Sequence, residues 1–270
     1  MTPDRSAYFL DLHRRERPLV LPNPWDAGSA RILQYLGFHA LATTSSGMAA
    51  SMGRLDGAVT LDETLAHASQ IVAAVDIPVT ADFVNGFADD PDGVASGVAA
   101  AARTGLAGCS IEDFTGDESS PIYPRPLALE RVTAAVQAAH DGPRKLVLTA
   151  RAEGYLHGAP ELAEIIARLQ GFQEAGADVL YAPGLTDAAD IRALVSAVDR
   201  PVNVLLMPGG PSVGEFAALG VKRVSVGGSM AYAVYGALAD AARELLNDGT
   251  TGWLAGSAAG RETARAAFRR

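Results

Sequence analysis

Eight short runs of strand-forming residues, each followed by a longer alanine-rich stretch, constrain this chain most. The runs are "PLVLP" (18–22), "HALATT" (39–44), "IPVTADF" (77–83), "GCSIED" (108–113), "KLVLTAR" (145–151), "DVLYAP" (178–183), "PVNVLLM" (201–207) and "KRVSVGG" (222–228). Segments such as "DETLAHASQIVAAV" and "PELAEIIARLQGFQEAG" lie between them, with apolar residues at helical spacing. "EAGADV", "RTGLAGCS" and "AALGVKRVSV" repeat one grammar, in which a glycine stops a helix and a strand begins at once. Eight strand–helix units in roughly 250 residues predict an α/β (β/α)8 barrel. An open doubly wound sheet is the competing arrangement. It wants a glycine-rich turn after its first strand, and "LPNPWDAG" is a poor match. No linker divides the chain, so residues 1–270 are expected to form a single domain, with a helical tail over about 245–270.

Bulk properties narrow the function. Apolar residues make up 49% of the 270, enough for a substantial core. The formal charge is −9 and no lysine or arginine run stands out, which argues against nucleic acid or an anionic membrane as partner. One cysteine, Cys109, excludes an intrachain disulfide and suits a reducing compartment. The first residues lack a signal-peptide core and no window approaches 18 apolar residues, so a cytoplasmic location is expected.

In a (β/α)8 barrel the active site lies at the C-terminal ends of the strands. Those ends carry Thr44, Ser45, Ser46 and Gly47 after the second strand and Asp82 after the third. Glu112 and Asp113 follow the fourth, Arg151 and Glu153 the fifth. Asn203 and Met207 belong to the seventh, Gly227 and Gly228 follow the eighth, and Asp56 lies in the loop after the second. Several acids at one mouth suit Mg2+, with Mn2+ the alternative, because this ion takes hard oxygen ligands and keeps several waters. "TTSSGM" offers hydroxyls and free N–H groups near a helix start, a cradle for an oxyanion. Arg151 can fork onto a second one. The implied ligand is small, doubly anionic and metal-chelating. Each residue alone also has a plainer reading, since an Asp or Ser after a strand often only caps the next helix. His13, His67 and His140 fall in helical segments and are expected on the surface, while His39 opens a strand. His157 reads as a loop residue near the mouth, and Cys109 as a small core residue within its strand.

"LPNPWDAGSARILQYLGFHALATTSSGMAASMGRLDG", "SIEDF", "LTARAEGYL" and "PGGPSVGEFAALGVKRVSVG" resemble the isocitrate lyase and phosphoenolpyruvate mutase superfamily, from about residue 18 to about 240. The resemblance implies a (β/α)8 barrel that binds Mg2+ and a 2-oxo acid or its enol. It also implies a dimer of helix-swapped pairs, with the tail helix available for the exchange, so a homodimer or homotetramer is expected. By motif, Ser46, Gly47 and Met48 match the segment that holds the substrate's anionic end, with Ser45 beside them. Asp82 matches the acid that touches the metal, while Asp56 and Glu112 match acids around it that orient metal waters. Arg151 matches the arginine that grips substrate.

Two departures stand out. The family commonly carries a second acid two residues beyond Asp82, and here that residue is Val84. The expectation is a weaker Mg2+ site, with Asn85 offering a neutral oxygen instead. The isocitrate and methylisocitrate lyases carry a Lys-Lys-Cys-Gly-His loop after the fourth strand, and the segment here reads "FTGDESSPIYPRP".

Schiff-base chemistry needs a lysine at the mouth. The two lysines, Lys145 and Lys222, both open their strands at the other end. A metal-stabilised enolate route fits better. Aldol-type cleavage of a 2-hydroxy acid wants the missing loop thiol, whereas decarboxylation of a 3-carboxy-2-oxo acid needs no base to begin. The expected activity is therefore C–C cleavage of a small 2-oxo dicarboxylate, with oxaloacetate favoured. Catalytic roles fall to Arg151, Glu112 and Asp56, with Tyr123 on the loop as a proton donor. Asn203, Met207, Tyr181 and the loop at 114–126 are expected to read the substrate's far end. Phosphonopyruvate hydrolysis or phosphonate rearrangement is the second reading, and a non-catalytic 2-oxo-acid binder the third.

Overall fold

A computed structural model describes residues 4–142 and 144–269. The elements run α1 (Arg5–Leu12), β1 (Leu19–Leu21), α2 (Ala27–Tyr35), β2 (Leu41–Ala42), α3 (Ser45–Ser51), α4 (Leu61–Ala74) and β3 (Val79–Asp82). They continue with α5 (Pro91–Ala102), β4 (Gly108–Glu112), α6 (Arg125–His140), β5 (Val147–Arg151), α7 (Leu162–Glu174) and β6 (Val179–Tyr181). The last are α8 (Ala188–Ala197), β7 (Val202–Leu205), α9 (Val213–Ala218), β8 (Arg223–Ser225), α10 (Ser229–Asn247) and α11 (Leu254–Phe268).

All eight expected strands form, each trimmed by one or more residues at its ends. Every pairing is parallel, in the order β1-β8-β7-β6-β5-β4-β3-β2. Between β1 and β2 the ring is drawn together by Ala42 N donating to Pro22 O at 3.1 Å. The Asn23 amide adds a bond to Thr43 O at 3.0 Å. The chain is thus a (β/α)8 barrel with a C-terminal helical extension. β4 is buried along its whole length, as a strand covered by helices outside and by the barrel interior inside must be.

The helices start where short polar side chains meet their first N–H groups. Asp26, Thr60 and Ser212 each form a reciprocal cap with the residue three positions on. Asp90 caps α5, which leaves Asp82 free of that duty.

Residues 5–12 carry no clear helical period in the sequence. They form α1, which lies across the N-terminal end of the barrel. Phe9 and Leu12 pack there with Leu19, Leu21, Ala40, Val147 and Val179. Burying Phe9 and Leu12 contributes roughly 1.5–3 kcal/mol each. α1 also explains the first correction. His13, expected on the surface, is buried, stacked edge-on against Phe9 with its Nδ1 2.9 Å from Phe9 O. His67 is buried as well, its Nε2 bonded to Trp25 O at 2.9 Å on the inner face of α4. His140 is half-buried and paired with Asp178 at 2.9 Å. Period alone did not say which side of these helices faces the sheet.

Cys109 is fully buried, and desolvation pushes its thiol up to about 12. The core reading of that residue holds. Lys222 enters β8 at the closed end of the barrel, with its Nζ 3.3 Å from Arg15 O. α11 packs on α2 of the same chain, where the Phe268 ring approaches Gly28. No described helix is long and apolar enough to cross a membrane.

Candidate active site

The strand ends open into two adjoining cavities. The inner one, about 170 Å³, is lined by Thr43–Ser46, Asp56, Asp82, Arg151, Tyr181, Asn203, Arg223 and Ser225, among others. The outer one, about 540 Å³, continues from Asp56 and Arg151 to Val84, Asn85, Glu112, Phe114, Glu118, Glu153 and His157.

Arg151 closes β5 and organises the boundary between the two. Its Nη1 meets Asp82 Oδ1 at 2.7 Å, its Nη2 meets Glu112 Oε2 at 3.1 Å, and its Nε meets Glu153 Oε1 at 2.7 Å. The guanidinium also lies 5.2 Å from the centre of the Tyr181 ring. Burial opposes its charge, but Glu153, Glu112 and Asp82 outweigh burial and hold it protonated. Register explains the convergence, because Glu112 stands opposite Arg151 on the neighbouring strand.

Asp82 ends β3. Besides Arg151, its Oδ2 accepts from Ser45 N at 3.1 Å, and its own N–H donates to Thr43 Oγ1. Each carboxylate oxygen still has a lone pair open. Asp56 reaches the rim from the loop after α3. Partial desolvation raises its pKa, the Ser45 hydroxyl opposes this, and the Asp82 charge raises it further. Glu112 is buried, and desolvation drives its pKa well up. Arg151 pulls it down, while Glu153, Asp82 and Asp56 add to the rise.

These directions report crowding. Asp56, Asp82, Glu112, Glu118 and Glu153 line the cavities, and three of them, Asp82, Glu112 and Glu153, meet Arg151. Among the described residues no three acid or imidazole groups are gathered closely enough to ligate an ion directly. The residues that could hold a hard divalent cation are Asp82, whose carboxylate oxygens keep open lone pairs, and Asp56 and Glu112 through waters.

Thr44 caps α3, and its Oγ1 accepts from Gly47 N and bonds the Ser46 hydroxyl at 3.1 Å. Ser45 and Ser46 line the inner cavity, whereas Gly47 and Met48 sit behind it, fully enclosed. Gly47 and Met48, expected to hold the ligand's anionic end, line neither cavity. The Met48 N–H already serves Thr44 O, and Gly47 is needed because a Cβ would meet Thr44 Cγ2 at 2.6 Å. Asn203 lines the inner cavity, with its Oδ1 accepting from Arg223 Nε and its amide donating to Ser225 Oγ, both at 3.0 Å. Met207 lines neither cavity, while Tyr181 lines the inner one.

The structure places Tyr123 away from the mouth, contrary to expectation. It lines neither cavity and is buried behind the mouth. Its hydroxyl donates to Asp89, its ring lies 4.0 Å from the Arg131 guanidinium, and desolvation pushes its pKa up to about 12. Arg131 in turn donates to Ala88 O and Asp89 O at 2.5 Å. Tyr123 thus braces the turn after β3 and is badly placed to deliver a proton to the mouth.

That turn holds Val84. Its φ is +41°, a left-handed conformation that a β-branched residue adopts only under strain. Its carbonyl accepts from Glu112 N at 3.0 Å, and the residue lines the outer cavity. Asn85 Oδ1 accepts from Phe87 N at 3.1 Å, which fixes its direction and leaves it one lone pair.

Sequence reasoning assigned no role to Glu153, His157 or Arg223. Glu153 was visible as a strand-end acid; its N–H is held by Asp113 Oδ1 at 2.8 Å. His157 stacks on Phe114, centroids 3.8 Å apart, and its Nδ1 lies 3.5 Å from Glu118 Oε2. Arg223 was legible in the period of β8, since it shares its face with Ser225.

Comparison with known proteins places the chain. It matches, over residues 9–246, the family described as phosphoenolpyruvate phosphomutase. The chain belongs to that family. The wider group is the isocitrate lyase and phosphoenolpyruvate mutase superfamily. A crystal structure from Burkholderia cenocepacia J2315, of a protein with a provisional lyase/mutase name, is 49% identical with a TM-score of 0.93, covering 97% of this chain and 94% of that one. The 2-methylisocitrate lyase of Escherichia coli K12 is 30% identical over 70% of this chain and 65% of its own length. The oxaloacetate decarboxylase of Pseudomonas fluorescens Pf-5 is 30% identical over 82% of this chain and 80% of its own. The named relatives are lyases and mutases of one superfamily.

Proposed function

We propose that this protein is a divalent-cation-dependent enzyme that cleaves a C–C bond in a small 2-oxo dicarboxylic acid, with decarboxylation of oxaloacetate as the favoured reaction. The observation that carries the reading is the buried Arg151, forked onto Asp82, Glu112 and Glu153 at the edge of a cavity about 170 Å³ in volume. In this reading Asp82 would hold Mg2+ or Mn2+ directly, and Asp56 and Glu112 would hold it through waters. The ion supplies Lewis-acid polarisation of the 2-oxo group. Ser45 and Ser46 receive the adjoining carboxylate. As CO2 leaves, negative charge moves to the C2 oxygen, and Arg151, rigid before the reaction starts, stabilises it there. Its three acid partners fix its direction and cost it no reorganisation. The proton returns to C3 from water in the outer cavity, whose wall carries His157 and Glu118.

The thiol-free loop favours decarboxylation over aldol cleavage. Phe114, Gly116 and Glu118 are the loop residues that reach the outer cavity. The family's phosphomutase name supports the second reading, P–C chemistry on phosphonopyruvate. A panel of oxaloacetate, 2-methylisocitrate and phosphonopyruvate separates the two. CO2 and pyruvate from oxaloacetate support the first, and phosphate or rearranged phosphonate supports the second. Tight oxalate binding with no turnover of any of the three points to a non-catalytic binder and sinks both.

A further inference from the structure

Arg223 is buried to 4% exposure, reaches the inner cavity from β8, and meets no acid within salt-bridge distance among the described residues. Every partner it has is neutral. Nε donates to Asn203 Oδ1 at 3.0 Å and Nη2 to Thr149 Oγ1 at 3.1 Å, while Nη1 lies 3.4 Å from His13 Nε2. His13 gives its Nδ1 proton to Phe9 O, so Nε2 presents a lone pair. Desolvation, then Arg223 itself, lowers the His13 pKa to about 3, so the imidazole stays neutral. Three of the five guanidinium N–H groups are engaged, and two are left. The contrast with Arg151 is direct, because that side chain, in the same cavity wall, is bound to three acids. Arginine is almost never fully buried without a counter-charge, since an isolated buried cation costs several kcal/mol.

We propose that the cavity floor at Arg223 is an oxyanion subsite, which takes a second acidic group of a short ligand whose first carboxylate lies at Ser45 and Ser46. The ligand supplies the missing counter-charge, and the site therefore selects dianions over monoanions. This assignment rests on the mouth being the ligand site of the reading above, but not on which reaction occurs there. A carboxylate and a phosphonate satisfy the same donors.

The test uses ligands that cannot turn over. Calorimetry in Mg2+ compares succinate with butyrate, and malonate with propionate, in the wild type and two variants. Arg223→Met removes the charge. Asn203→Asp keeps the shape but places a carboxylate on Arg223 Nε, so the protein neutralises its own cation. The wild type is expected to prefer each dianion by tenfold or more, and both variants to lose that preference while the monoanion changes less than twofold. Should Arg223→Met fail to fold, Asn203→Asp decides alone. Equal binding of dianion and monoanion by the wild type, or a variant that weakens both alike, overturns the subsite. Neither result depends on oxaloacetate turnover, so the reaction and the subsite fail separately.

Discussion

At the residue scale the site is a problem of charge. Asp82, Glu112 and Glu153 share one guanidinium, and Asp56 stands at the rim beside them. Replacing Asp82 with Asn removes the proposed direct ligand while keeping a polar group for Ser45 N. The expected outcome is loss of activity by 100-fold or more with little change in melting temperature, measured by steady-state assay and thermal denaturation; unchanged kcat/KM would remove Asp82 from the site. Val84 is the complementary case. Val84→Asp restores the acid and exchanges a β-branched residue at φ +41° for one that tolerates that conformation better. Mn2+ titration should show tighter binding by roughly tenfold or about 1.4 kcal/mol, and unchanged affinity would mean that the absent acid does not limit the site. Asp82, Glu112 and Arg151 were legible because strand ends in a barrel share one rim. Tyr123 was misread because a loop residue's direction depends on what lies behind it, here Arg131 and Asp89.

At the element scale the strands were the legible part. Each is a short apolar run between a glycine stop and a polar start, and β3, β4 and β5 are nearly continuous in burial because both faces are covered. α1 escaped notice because its sequence, "RSAYFLDL", is only weakly amphipathic and its partners are strand starts far along the chain. It brings His13 into the barrel floor. His13 titrates at about 3 in the fold against an ordinary value near 6.5. The unfolded chain therefore takes up a proton between these values that the folded chain refuses, and stability falls as pH drops through that window. Comparing denaturant unfolding at pH 6 and pH 4 for wild type and His13→Gln tests this. The variant should lose up to about 1.4 kcal/mol less per pH unit; parallel curves would place His13 in contact with water. At α3, Gly47→Ala should destabilise by roughly 1–3 kcal/mol through its overlap with Thr44, while a neutral result would show that the helix shifts freely.

At the scale of the whole molecule, the barrel opens into cavities at one rim and is closed at the other by α1. α10 leaves Tyr232, Val234, Leu238, Leu245 and Leu246 exposed, and Ala231 is its one described residue that is buried. Exposed apolar side chains grouped on one helix are a common mark of a protein–protein contact, and we propose that α10 serves a homodimer or homotetramer. Light scattering with size exclusion should give a mass of two or four chains; a monomer at micromolar concentration would reject it. The central claim concerns the reaction itself. Its most direct test is the rate of oxaloacetate decarboxylation by the purified protein, stripped with EDTA and then supplied with Mg2+. The account predicts turnover that disappears on chelation and returns with the ion, and decarboxylation that proceeds unchanged in EDTA would contradict it.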